Sequence, residues 1–216
     1  FGVEDEKIFP IGLPRTDLML DDRKRKKMQE RFFEQYPDLK GKKITLYAPT
    51  FRDSQVENPE IALDFDSLNR CMGRDEVLLI RLHPHVAEHC PAGIWNMYPY
   101  KIRNVSDYPG VATLLSVADQ LITDYSSIIY EYCLLGRKMI FYAYDYEVFQ
   151  KDGRNFYEEY EKFVPGMIAY TQPELEKIWH TAYEDDSQRE QFCGRIFKYQ
   201  DKNAVNRLLC LIFDKK

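Results

Sequence analysis

Six short apolar runs recur along the chain with helical or loop segments between them: "KIFPIG" (7 to 12), "KITLYAP" (43 to 49), "EVLLIRLH" (76 to 83), "YKIRNV" (100 to 105), "QLITD" (120 to 124) and "KMIFYAY" (138 to 144). Strands that alternate with helices predict an α/β fold in which a mostly parallel sheet carries helices on both faces. Helical patterning falls on "DDRKRKKMQERFFEQY", "DFDSLNRCMG", "VATLLSVA" and "SSIIYEYCLLG". A C-terminal helical series then runs from "QPELEKIWHTAYED" through "SQREQFCGRIFKY" to "NAVNRLLCLIF". Pro173 near the start of the first of these, and Asn203 as an expected N-cap, mark boundaries. No repeat, low-complexity linker or composition shift interrupts the 216 residues, so one domain is expected.

Charge and cysteine usage exclude several function classes. The net charge of -5 arises from 35 acidic and 30 basic residues that are well mixed, without the basic stripe of a nucleic-acid binder. No apolar run approaches the roughly 18 to 20 residues of a membrane span, and no signal peptide is visible. The chain opens in mid-pattern without an initiator Met and reads as a piece of something longer. Its five cysteines are scattered, with no C-x-x-C pair, which favours a reducing, cytosolic setting over a disulfide framework or a zinc finger.

In an open parallel sheet, ligands bind beyond the carboxyl ends of the strands. Here "KIFPIG" is followed by "LPRTD", "KITLYAP" by "TFRD" and "VLLIRL" by "HPH"; "QLIT" runs into "DYSS", and "MIFYA" is followed at a distance by "GRNFYEEYEKFVPG". One edge of the sheet is thus expected to gather Arg15, Arg52, His83, Asp124, Ser126, Ser127 and Arg154, the makings of an anion site. Ser126 or Ser127 suits an N-cap, and a helix starting there would present unpaired N–H groups and its positive dipole end to a phosphate. Glu131 lies four residues past Ser127 on the same helix face, about 6 Å further along. That is roughly the offset from a nucleotide's phosphate to its ribose hydroxyls. Alone, such a stretch is only a capped helix with a solvated carboxylate; the other loop ends tip the reading toward a ligand.

His83 precedes Pro84, which should stop the strand and leave the imidazole at the sheet's edge. Neutral, it would accept a proton from an attacking hydroxyl; protonated, it would stabilise phosphate charge. His85, His89 and His180 are expected to be surface residues. An H-x-H pair also suits a metal, yet no third ligand stands at a telling spacing and no metal site is expected. Any one of Arg15, Arg52, Arg81, Arg137 or Arg154 is ordinarily a surface charge. Three of them in separate strand-end loops are less easily dismissed, because Arg binds phosphate bidentately. The block "RKRKK" (23 to 27) reads as the solvated side of an amphipathic helix rather than a membrane contact.

Taken in order, "GLPRTD", "YAPTFRD", "RLHPH", "LLSVADQLITDYSSIIYEYCLLGRKMIFYAYD" and "RNFYEEYEKFVPG" resemble the C-terminal lobe of the CDP-glycerol glycerophosphotransferase family, over nearly the whole chain. The resemblance implies a Rossmann-like lobe of a two-lobed GT-B architecture, spanning residues 1 to 216, with the N-terminal acceptor lobe absent. It implies CDP against the helix at Ser126 and Ser127, His83 as the family's essential histidine, and Arg154 as the Arg of its R-G-x-Y segment. The implied donor is CDP-glycerol or a related CDP-alditol, with no cofactor. The implied acceptor is a polymer-linked or lipid-linked hydroxyl, and the implied location is the inner face of the cell membrane, with peripheral association. The sequence departs from the family pattern at Asn155 (commonly Gly), Phe51 (frequently Trp), Lys138 (often Pro) and Lys202 (often Gly). A glycosyltransferase using a nucleotide sugar, a non-catalytic nucleotide-binding module, and a metal-dependent hydrolase built on His83, His85 and Asp124 are the alternatives.

Overall fold

The computed structural model describes residues 2–52, 61–90, 97–151, 158–182 and 186–213. Six parallel strands form one sheet: β1 (Lys43–Tyr47), β2 (Glu76–Ile80), β3 (Ile102–Asn104), β4 (Gln120–Thr123), β5 (Lys138–Tyr142) and β6 (Met167–Ala169). Their order is β3-β2-β1-β4-β5-β6, so the direction of winding reverses between β1 and β4. The helices are α1 (Asp17–Leu20), α2 (Asp22–Gln35), α3 (Phe65–Cys71), α4 (Pro84–Ala87), α5 (Val111–Val117) and α6 (Ile129–Tyr132). They continue with α7 (Tyr146–Lys151), α8 (Tyr160–Phe163), α9 (Gln172–Trp179), α10 (Ser187–Ile196) and α11 (Ala204–Phe213).

The period of two along each strand sends alternate side chains to opposite faces, and both faces are apolar because both are covered. Ile44, Leu46, Val77, Leu79, Leu121, Met139 and Phe141 pack with Phe32 of α2, Leu114 and Leu115 of α5 and Phe192 of α10. Tyr47, Leu78, Ile80, Ile122, Ile140 and Tyr142 pack on the other side with Phe65 and Leu68 of α3 and Leu175 and Trp179 of α9.

The expected α/β class holds, and five of the six expected strands form. The segment "KIFPIG" is not a strand. Residues Asp5–Lys7 make a 3-10 turn and Ile8 and Phe9 are more than half exposed, for Pro10 removes a ladder donor and no strand among the described residues pairs there. The sixth strand is β6, whose entry requires Gly166: a Cβ at that position would lie 2.5 Å from the Met139 carbonyl oxygen. The expected helix over 126 to 136 is shorter than its pattern. It begins at Ile129, tightens into a 3-10 turn at Cys133–Leu135 and ends on Gly136 at φ 64, a left-handed conformation suited to glycine. α11 begins at Ala204 with Asn203 at the expected N-cap position, and the Ala204 and Val205 N–H groups donate at 3.1 and 2.9 Å to the carboxylate of Asp17, a residue of "GLPRTD".

Candidate active site

The winding reversal between β1 and β4 opens a cleft of about 560 Å³. Its walls are Ala48 to Phe51 beyond β1, Arg81 to Pro84 beyond β2, and Tyr125 to Ile128 beyond β4. Three loop ends singled out from the sequence therefore meet in one place. A second cavity of about 310 Å³ lies on the other side of the β4 loop, between Asp124 to Ser127 and the aromatic wall of Tyr160 and Phe163. Ser126 and Ser127 line both cavities.

Ser126, three residues ahead of α6, accepts from the Ile128 N–H at 3.3 Å, while Ser127 is exposed. The helix dipole expected behind these hydroxyls is correspondingly small, because α6 is a four-residue turn. Any anion here would meet serine hydroxyls and loop N–H groups. His83 is exposed and stands at the N-cap of α4, its ring stacked on Phe51 with centroids 5.2 Å apart and planes at 28°. The strand before it ends at Ile80, three residues ahead of His83, so Pro84 opens α4 rather than closing β2.

Arg52 and Asp124 lie beneath the cleft and bond each other, Nη2 to Oδ2 at 2.8 Å, with both residues buried. Arg52 also grips Asp145 through Nε at 2.7 Å and Nη2 at 3.0 Å, and Nη1 donates to the Thr50 carbonyl at 2.5 Å. Burial works against the guanidinium charge, but the hydrogen bonds to Asp145 and the charge of Asp124 raise its pKa further above the ordinary arginine value. The other carboxylate oxygen of Asp124 accepts from the Thr50 and Tyr125 N–H groups at 2.7 and 2.6 Å. Four of the five N–H donors of Arg52 are thus engaged by two aspartates and a carbonyl, and Arg52 lines a small cavity with Phe51 and His83. Asp124 gains the role that its position in the sequence left open, joining the β1 loop to the β4 loop.

Arg15 and Glu131 also pair with each other, an exposed guanidinium against a buried carboxylate. Burial pushes the Glu131 carboxyl up and Arg15 draws it partly back. Neither residue lines either cavity, and Arg15 stands on the 3-10 turn Pro14–Thr16 instead of after a strand. Arg137 is structural, donating to the Ser116 and Ala118 carbonyls, while Arg81 reaches the Tyr108 carbonyl at 2.7 Å from the cleft wall. Arg154 and Asn155 lie outside the described residues.

Asp145, Tyr125 and Tyr160 were not singled out from the sequence. Tyr125 donates to Asp145 Oδ1 at 3.1 Å and stacks on Phe149 at 3.8 Å, and Tyr160 donates to the Asp124 carbonyl at 3.0 Å. The readable signal was Asp145 itself, which follows an apolar strand as Asp124 does.

An all-parallel sheet with a cleft at its winding reversal defines a doubly wound α/β protein with a crevice at the topological switch point. The chain belongs to the CDP-Glycerol:Poly(glycerophosphate) glycerophosphotransferase family, whose sequence profile matches residues 1–214. It is 36% identical over 220 residues to the teichoic acid ribitol-phosphate polymerase TarL of Staphylococcus aureus (strain NCTC 8325 / PS 47), covering 99% of this chain and 38% of that protein. It is 32% identical over 212 residues to the teichoic acid glycerol-phosphate primase of Bacillus subtilis (strain 168), covering 98% and 52%. A structure of the wall teichoic acid polymerase TagF, a variant soaked with CDPG, superposes with a TM-score of 0.86 at 28% identity over 99% of this chain and 53% of that one. The chain therefore spans between about two fifths and half of the length of these relatives.

Proposed function

We propose that this chain is the nucleotide-binding, C-terminal lobe of a glycerophosphotransferase that uses CDP-glycerol or a related CDP-alditol to extend a teichoic-acid-like or capsular polymer. The observation that carries the reading is the switch-point cleft, where Ser126, Ser127 and His83 share one space large enough for a ligand. Membership of the family supports the donor class. The relatives are named for ribitol phosphate as well as glycerol phosphate, so the alditol is the variable part.

In this reading the donor's diphosphate lies along the β4 loop, where Ser126 and Ser127 donate to it, and its alditol end faces His83. An acceptor hydroxyl oxygen bonds to the phosphorus that bears the alditol while the bond from that phosphorus to the CMP oxygen breaks. His83 either takes the hydroxyl proton or, already protonated, holds phosphate charge. Positioning and electrostatics do most of the work, as in phosphoryl transfer generally, and no cofactor is required. Arg154 and an N-terminal lobe complete the site, and the protein works in the cytoplasm at the inner membrane face. The isolated chain accordingly binds nucleotide and turns over poorly, if at all.

Calorimetry on the chain tests this reading: CDP or CMP is expected to bind in preference to UDP or ADP. Equal or negligible binding of all four overturns it. In a protein carrying both lobes, His83→Ala is expected to abolish turnover.

A further inference from the structure

Beneath the cleft, two carboxylates face one guanidinium. Asp145, three residues beyond β5, holds one edge of Arg52 with both of its oxygens, Nε to Oδ2 at 2.7 Å and Nη2 to Oδ1 at 3.0 Å. A planar guanidinium gripped by a fork of this kind has its orientation fixed, and its remaining donors point in set directions. Those donors reach the Thr50 carbonyl and Asp124, which stand on the two loops that wall the cleft. Phe51, between Thr50 and Arg52, carries the ring on which His83 stacks. Asp124 receives the Tyr125 N–H, next to Ser126, and the Tyr125 hydroxyl returns to Asp145. Asp145 is not among the residues lining the cleft.

We propose that Asp145 is a positioning residue for the donor site, acting through Arg52 to hold the loop of Ser126 and Ser127 and the Phe51 ring that seats His83. This rests on reading the cleft as the donor site, and it adds a residue that never touches the donor. A neutral amide in place of the carboxylate keeps the volume but turns one acceptor into a donor that faces Arg52, so the fork is lost.

The test is Asp145→Asn in the chain selectively labelled on histidine rings, with the His83 signal assigned by its loss in His83→Gln. In the wild type the Phe51 face is expected to shift the His83 ring protons upfield. Asp145→Asn is expected to move them toward the unstacked position and to raise the Kd for CDP about tenfold, the size of one charged hydrogen bond, while far-UV circular dichroism is retained. Glu76→Gln, at the opposite end of the sheet, is the control that perturbs an ion pair without moving His83. Should Asp145→Asn fail to fold, Asp145→Glu, which keeps the charge but displaces the carboxylate by one methylene, is expected to move the same signal. A folded variant whose His83 signal is unmoved and whose CDP affinity stays within about twofold of wild type overturns the proposal. If the wild type binds no CDP, the donor-site reading fails, and the His83 signal still decides whether Asp145 positions the ring.

Discussion

At both ends of the sheet carboxylate pairs with cation, and the two ends use the pairing differently. At the N-terminal end, Glu76 opens β2 and accepts from Lys43 at 3.0 Å, His180 at 2.7 Å and the Gly73 N–H at 2.8 Å. Burial alone would raise its carboxyl; the Gly73 N–H, His180 and Lys43 together hold it down at about 2. Lys43 and His180 are half exposed there, and the pairing joins strand starts to the end of α9. At the C-terminal end, Arg52, Asp124 and Asp145 stand on three different loops, and their pairing joins two of the loops that wall a cleft. The same chemistry fastens strand starts to a helix at one end and joins separate loops at the other, where the strands of a parallel sheet lead into the loops that form a crevice.

The comparison breaks most visibly at Arg52. Arg52→Ala leaves Asp124 and Asp145 without their shared cation, and a loss of about 3–5 kcal/mol in urea denaturation is expected, together with loss of CDP binding. A loss below about 1 kcal/mol would place this network in the class of ordinary surface pairs. Next in size is Ser127→Ala, an exposed hydroxyl in the cleft wall. Its stability should stay within about 0.5 kcal/mol of wild type while the Kd for CDP, measured by calorimetry, rises about tenfold.

The smallest effect belongs to Glu76→Gln. A carboxylate whose folded pKa is depressed contributes stability that is fully present above its ordinary value of 4.5 and is lost as the pH falls toward about 2. Urea midpoints of wild type and Glu76→Gln should therefore converge across that window, with wild type the more stable above it. CDP affinity at neutral pH is expected to be unchanged; a weakened affinity would mean that the two ends of the sheet are coupled.

Much of the frame was legible because it rests on local patterns. Apolar runs bounded by helical segments identified five strands, and "DDRKRKKMQERFFEQY" became α2 with Asp21 capping the Arg23 and Lys24 N–H groups. The failures share one cause. "KIFPIG" has the composition of a strand but gains no pairing partner among the described residues, while β6 is three residues long and exists because Gly166 lets it approach β5. In the site, His83, Ser126 and Ser127 were read correctly as neighbours, for each follows a strand of the same sheet. The pairing of Arg52 was not legible, because its sequence neighbours do not reveal that its aspartate partners lie 72 and 93 residues away.

The order of strands and helices, the two apolar faces and membership of the family are properties of the sequence by itself, since periodicity and motif order survive without coordinates. Which charges cancel and which remain for a ligand was decided by the tertiary structure alone. Electrostatic pairing depends on distance and burial in space, and folding brings Arg52 to Asp124 and Asp145, Arg15 to Glu131, and Asp17 to the start of α11. The hydroxyls of Ser126 and Ser127 and the imidazole of His83 line the cleft beside those pairings.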